Sequence, residues 1–246
     1  MTSSERRLGD AIQIPGNYQF QAAFEGSAPQ RFWHQTRFEA CLDMLDVGPS
    51  MRVLDAGCGS GVFSDMVAAV PGTHVTAVDG NREAILFARQ QFGRSNLEFR
   101  NGLVDELAFE SASFDRVSCL EVIEHIHPEQ GRAVLRTFHR LLSPGGRLLI
   151  STPNMRSYWP ALEWVLDRLH LVPTMEGEQH VAGYYPRSLR ALGEEAGFRL
   201  VSTRTLFVVS PWVALATWRL AKTLHRLEEA SPVHMGALLV QSFERC

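Results

Sequence analysis

The chain has 246 residues, 45% of them hydrophobic and 21% charged, enough apolar material for a sizeable core and too much for a disordered chain. Its formal net charge of -3 and pI of about 6.3 argue against a general binder of nucleic acid or of anionic membranes. The four cysteines, Cys41, Cys58, Cys119 and Cys246, form no C-x-x-C pair and no legible disulfide framework, so a reducing, cytoplasmic compartment is expected. The polar start of the chain reads as no signal peptide, and no apolar run is long enough to predict a membrane span.

Residues 1–28 read as a loosely ordered arm, punctuated by Pro15, Gly16 and Gly26. From residue 29 to the end a single domain is expected. A helical pattern spans Pro29–Leu45. An apolar strand, Met51–Ala56, then runs into a glycine cluster, and strands and helices alternate: helix Val62–Val70, strand His74–Val78, helix Arg82–Phe92, strand Leu97–Arg100, strand Phe114–Leu120, helix Pro128–Leu142 and strand Arg147–Ser151 after the turn Pro144-Gly145-Gly146. Such alternation predicts an α/β fold with a mostly parallel sheet and helices on both faces. The pattern changes after Asn154, where an insertion of about 155–185 is expected: a helix Tyr158–Leu171 and a polar loop Thr174–Gln179. Helix Pro186–Ala196, strand Phe198–Leu206, helix Pro211–Leu227 and a last strand Gly236–Phe243 complete the chain.

Val53-Leu54-Asp55-Ala56-Gly57-Cys58-Gly59-Ser60-Gly61 is the most informative segment. Glycines there let the backbone turn tightly and let a ligand lie against it with no Cβ in the way. A plain glycine-rich turn is the alternative. A dinucleotide site needs G-x-G-x-x-G, and Val62 stands where its last glycine belongs. Asp55, just before the loop, suits a sulfonium or ammonium better than a phosphate. Asp79 ends the second strand 22 positions after Gly57, where a carboxylate can accept from both ribose hydroxyls. Its alternative is to cap the next helix. This loop and the acid after it resemble class I S-adenosylmethionine (SAM) methyltransferases. The resemblance implies a Rossmann-like, seven-stranded sheet whose last strand is antiparallel. It also implies a cofactor site drawn from Asp55, Gly57, Cys58, Gly59, Asp79, Gly80, Gly102, Leu103 and Glu121, with Gly102 standing where the family often has an adenine-binding acid.

After the fourth strand, Glu121, Glu124 and His125 stand at i, i+3 and i+4, which in a helical turn share one face. At the carboxyl end of a strand such a cluster can act as general base or hold a divalent cation; capping, ion pairing and packing are the alternatives. With Ser151-Thr152-Pro153-Asn154 and with Arg37, 20 positions before Gly57, the cluster resembles the ubiquinone-biosynthesis O-methyltransferase family. That resemblance implies Arg37 near the SAM carboxylate, Mg²⁺ on Glu121, Glu124 and His125, and membrane contact through the insertion.

On the acceptor side, Tyr158, Trp159, Leu162, Trp164, Val165, Leu169 and Leu171 crowd the insertion helix. They read either as a lid or lipid-interface face or as buried packing. His180, Tyr184 and Tyr185 follow, as acceptor-binding or structural residues. The expected function is SAM-dependent O-methylation of a small or lipophilic hydroxylated acceptor, with Glu121, Glu124 and His125 as catalytic candidates. The partners expected are that small-molecule or lipid-like acceptor and a peripheral membrane contact through residues 157–171, with no nucleic acid. The alternatives are N- or C-methylation of another small molecule, a non-catalytic SAM- or nucleotide-binding protein, and an NAD-binding oxidoreductase, against which Val62 counts.

Overall fold

The structure is a computed structural model that describes residues 14–168, 181–230 and 234–246. Leu169, Leu171, the loop Thr174–Gln179 and His180 lie outside the described residues, as do the side chains of Leu162 and Val165.

Seven strands form one sheet in the order β3-β2-β1-β4-β5-β7-β6. They are β1 (Arg52–Ala56), β2 (His74–Asp79), β3 (Leu97–Asn101), β4 (Phe114–Leu120), β5 (Leu142–Pro153), β6 (Phe198–Leu206) and β7 (Leu238–Arg245). β7 runs antiparallel between β5 and β6, and every other pairing is parallel, as the alternating pattern predicts. The central strands are buried along nearly their whole length because helices cover both faces. After its exposed first residue β1 is wholly buried, and β4 is buried everywhere but Asp115.

The helices among the described residues are α1 (Tyr18–Phe24), α2 (Ala28–Leu45), α3 (Val62–Ala68), α4 (Arg82–Gln91), α5 (Pro128–Leu141), α6 (Trp159–Arg168), α7 (Pro186–Glu195), α8 (Ser210–Val213) and α9 (Trp218–Glu229). On one face Phe32, Phe38 and Leu45 of α2 join Phe63 and Val67 of α3, with Ala221 of α9, over β1 and β7. On the other, Leu135, Phe138 and Leu141 of α5 join Leu189 of α7 over β4 and β5. The proline-glycine turn at 144–146 falls inside β5, where the register against β4 shifts between Phe114 and Arg116.

Two expectations are corrected. The described part of the 1–28 arm is ordered rather than loose. Asn81 donates from its side-chain amide to the Ile14 carbonyl at 2.9 Å, and α1 lies on α2 with Ala22 and Ala23 buried. The single helix expected over Pro211–Leu227 is two, α8 and α9, because Thr217 adopts an extended backbone and caps α9, accepting from the Leu220 N–H at 3.2 Å.

Candidate functional site

β1 sends its chain into the glycine loop on one side, and β4 sends its chain toward α5 on the other. Strand order therefore reverses between β1 and β4, and a crevice opens at their carboxyl ends. A mostly apolar cavity of about 660 Å³ lies there, lined by the loop, by Asp79–Asn81, by 102–105, by Glu121–Ile126, and by residues of α1, α2 and α6. Such a volume suits a cofactor together with a small second ligand.

The glycine loop does what its composition predicts. Gly57 and Gly59 both have positive φ, +81° and +51°. A Cβ on Gly57 would meet Val122 at 2.2 Å, and one on Gly59 would meet the side-chain amide of Gln19 at 2.6 Å. The constraint at Gly59 is its positive φ, since the Gln19 amide is the movable end of a long side chain.

Asp79 lines the cavity with both carboxylate oxygens anchored. Oδ2 accepts from the Gly59 N–H and Oδ1 from the Asn81 N–H, each at 2.7 Å. Burial raises its pKa, and these two amides oppose the rise. It does not cap α4: Asn81 does, accepting from the N–H groups of Glu83 and Ala84 at 2.9 and 3.2 Å. Gly80, Gly102 and Leu103 line the same region.

Two expected cofactor residues lie elsewhere. Asp55 is 2% exposed and does not line the cavity. Its carboxylate accepts from Ser64 Oγ of α3 at 2.6 Å and Ser118 Oγ of β4 at 2.7 Å, so it pins the loop's two flanks together. Burial lifts its pKa from 3.8 to about 6. The Cys58 side chain turns inward onto Ala77, Ile85 and Phe99, and burial pushes its thiol well up. Cys58 serves the loop with its backbone, donating its N–H to the Val78 carbonyl at 3.0 Å.

Arg37 reaches the cavity from α2, 4% exposed. One amino group stands 3.9 Å from the Glu121 carboxylate, the other 3.3 Å from His34 Nδ1, and Nε has no partner among the described residues. Burial and the Arg37 charge hold His34 well below the usual imidazole pKa, which leaves Nδ1 able to accept. A buried guanidinium with donor capacity to spare suits a carboxylate.

Glu121, Glu124 and His125 all line the cavity but do not share a helical face. Glu121 precedes the turn with φ +57°, in the left-handed region that non-glycine residues avoid, and only Ile123–His125 form a one-turn 3₁₀ helix. Glu121 accepts from Ser151 Oγ at 2.8 Å as well as facing Arg37. Glu124 is 2% exposed, and its Oε2 has no hydrogen-bond partner among the described residues. Burial, then the neighbouring Glu121 charge, push its pKa well above the usual carboxylate range. Glu121 is committed to a guanidinium and a serine hydroxyl, an arrangement unlike the converging anionic oxygens that a divalent cation takes. Among the described residues no three His, Cys, Asp or Glu side chains come together to hold one.

The expected apolar face of the insertion helix divides. Trp159 lines the cavity and packs on Trp33 with ring centres 5.1 Å apart, whereas Trp164 points outward, 60% exposed, under the Arg168 guanidinium. Tyr184 is buried in the core on the α5 side, and Tyr185 precedes α7; neither lines the cavity. Tyr18, Gln19, Trp33, His34, Pro211 and Trp212 line it without having been anticipated. Only Trp212, in a segment rich in large apolar residues, carried any signal.

The methyltransferase-domain family matches residues 32–203. A ubiquinone biosynthesis O-methyltransferase from Xanthomonas euvesicatoria pv. vesicatoria is 32% identical over 196 residues, 77% of this chain and 80% of the relative. One from Xanthomonas oryzae pv. oryzae is 37% identical over 137 residues, 53% of this chain, and the match spans only 56% of that relative's length. A crystal structure of magnesium protoporphyrin IX methyltransferase from Synechocystis with bound SAH superposes with a TM-score of 0.64 at 17% identity, covering 97% of this chain and 98% of that one; at this identity the likeness speaks for the fold.

Two outcomes are expected. Asp79→Asn should weaken binding of S-adenosylhomocysteine (SAH), measured by calorimetry, by about one to two decades, since a charge-assisted hydrogen bond contributes about 1.5–3 kcal/mol. Unchanged affinity would remove Asp79 from the site. Because the folded pKa of Asp55 lies above its unfolded value, Asp55 adds stability below pH 3.8 that is lost as pH rises toward 6. In denaturant titrations across that window, Asp55→Asn should therefore flatten the decline seen in the unmodified chain.

Proposed function

The chain belongs to the methyltransferase-domain family, and from that premise we propose that it transfers the methyl group of SAM to an oxygen of a small hydroxylated acceptor. The observation that carries the reading is the Asp79 carboxylate, held by the Gly59 and Asn81 amides at the mouth of a glycine loop. The relatives named as ubiquinone biosynthesis O-methyltransferases support oxygen as the acceptor atom.

Bound SAM supplies a methyl group already activated by a sulfonium. The residues have the remaining tasks of binding, alignment and proton removal. Asp79 accepts from the ribose hydroxyls, and Gly80, Gly102 and Leu103 shape the space for the base. Arg37 takes the cofactor's carboxylate, and Glu121, bonded to Ser151, steadies Arg37 from behind. Holding acceptor and methyl carbon in line lowers the barrier by several kcal/mol through orientation alone. A phenol of pKa about 10 holds its proton at neutral pH, so a base beside the oxygen is needed. His125, on the cavity wall, takes that role. Glu124, whose pKa burial and the Glu121 charge push up, has an otherwise unpaired oxygen with which to hydrogen-bond the acceptor.

The aromatic wall made by Trp33, Trp159 and Trp212 supports an acceptor with a flat or lipophilic body. The outward Trp164 beside Arg168 supports peripheral contact of α6 with a membrane surface. No helix among the described residues is long and apolar enough to cross a membrane. The four cysteines, all free, support a reducing, cytoplasmic setting.

The purified protein, offered SAM and a panel of phenols, catechols and lipids, should produce SAH with a methylated acceptor. His125→Ala should lower kcat by about 10²–10⁴ and leave SAH affinity intact. Turnover should continue in EDTA. Loss of turnover on chelation, with recovery on Mg²⁺, would restore the metal role to Glu121, Glu124 and His125.

A further inference from the structure

Glu228 of α9 is half-buried as a residue, but its side chain is only 7% exposed, and its carboxylate is spent on a single turn of the chain. Oε1 accepts from the Val209 N–H at 2.7 Å and the Ser210 N–H at 3.0 Å. Oε2 accepts from the Val208 N–H at 3.2 Å and the Ser210 hydroxyl at 2.6 Å. Three of the four donors are backbone N–H groups at the start of α8, where a helix has no intrahelical partner to offer them. His225 adds a fifth neighbour, 3.9 Å away.

The turn held this way is strained. Phe207 leaves β6 at φ +68°, a conformation a bulky residue keeps only when its surroundings impose it. Its ring stacks on Trp33 at 4.2 Å and on His225 at 5.2 Å, and its carbonyl accepts from the Tyr158 hydroxyl at 3.3 Å. Pro211 and Trp212, just beyond, line the cavity together with Trp33, Tyr158 and Trp159, whereas Glu228 does not. One buried carboxylate thus holds a turn, and the turn carries one wall of the cavity.

We propose that Glu228 is a positioning residue for the acceptor side of the cavity: it fixes Trp212 and, through Phe207, Trp33, and so sets which acceptors fit without touching them. The proposal rests on the methyl-transfer reading, because it needs an acceptor on that side. The charge is essential to the device. A glutamine of the same shape offers one oxygen to donors that now meet two, and turns an amide N–H toward the rest.

The test labels the protein with 5-fluorotryptophan and assigns its fluorine NMR signals by single Trp→Phe replacements. In Glu228→Gln the signals of Trp212 and Trp33 should shift or broaden while that of the outward Trp164 stays. The KM for catechol should rise about ten-fold, the value of one lost hydrogen bond, with SAH affinity unchanged within about two-fold. Ser210→Ala, which removes one of the four bonds and no charge, should move the same two signals by less, and it decides the matter if Glu228→Gln does not fold. Unmoved Trp212 and Trp33 signals, or SAH affinity falling in step with the catechol KM, would overturn the proposal. A wild-type chain that neither binds SAH nor methylates catechol defeats the methyl-transfer reading instead, and the fluorine signals still judge the turn.

Discussion

The reversal of strand order at β1 governs this molecule. β1 hands its chain to one side of the sheet and β4 to the other, so no connection fills the space above their adjoining carboxyl ends. Everything that lines the cavity is there because a strand ends there or because a helix leans over the gap. Parallel strands require their connections to return over the faces, which buries β1 and β4 and leaves their ends as the accessible polar backbone of the sheet.

Within that gap, polar groups are placed in pairs with opposite duties. Asp55 and Asp79 end neighbouring strands within one loop's reach. The pleat sends Asp55 beneath the loop, to the hydroxyls of Ser64 and Ser118, and Asp79 is held at its mouth by two amides. One carboxylate braces the scaffold, and the other lines the cavity. Glu121 and Glu124 divide in the same way: Glu121 answers a guanidinium, while burial and Glu121's own charge drive Glu124 toward its neutral form.

The far wall is assembled differently. Around the glycine loop the chain's own turns make the site, but Trp33, Trp159 and Trp212 come from α2, α6 and α8, with Trp33 packed on both Trp159 and Phe207. Aromatic rings fix one another's angles but not the backbone that carries them. The rigid element is the Glu228 carboxylate, which supplies the hydrogen bonds that α8 lacks at its start. One wall of the cavity thus comes from the glycine loop and another from a separately anchored turn.

Local chemistry was enough to read the alternating strands and helices, the glycine loop and the strand-end acid Asp79. Each depends on near neighbours: apolar periodicity, positive φ at glycine, a polar residue where a strand leaves the core. The same reading could not tell that Asp55 and Cys58 face inward or that α1 lays Gln19 over Gly59. Nor could it tell that Glu121 lies off the face it seemed to share with Glu124 and His125. Those outcomes depend on which side of the pleat packs against which helix, and on partners such as Ser118, 63 residues from Asp55. Glu228 shows the limit most plainly. In sequence it is one more acid near the end of an amphipathic helix; its role exists only once tertiary packing has laid the turn at 208–210 against α9, where the carboxylate satisfies the turn's N–H groups.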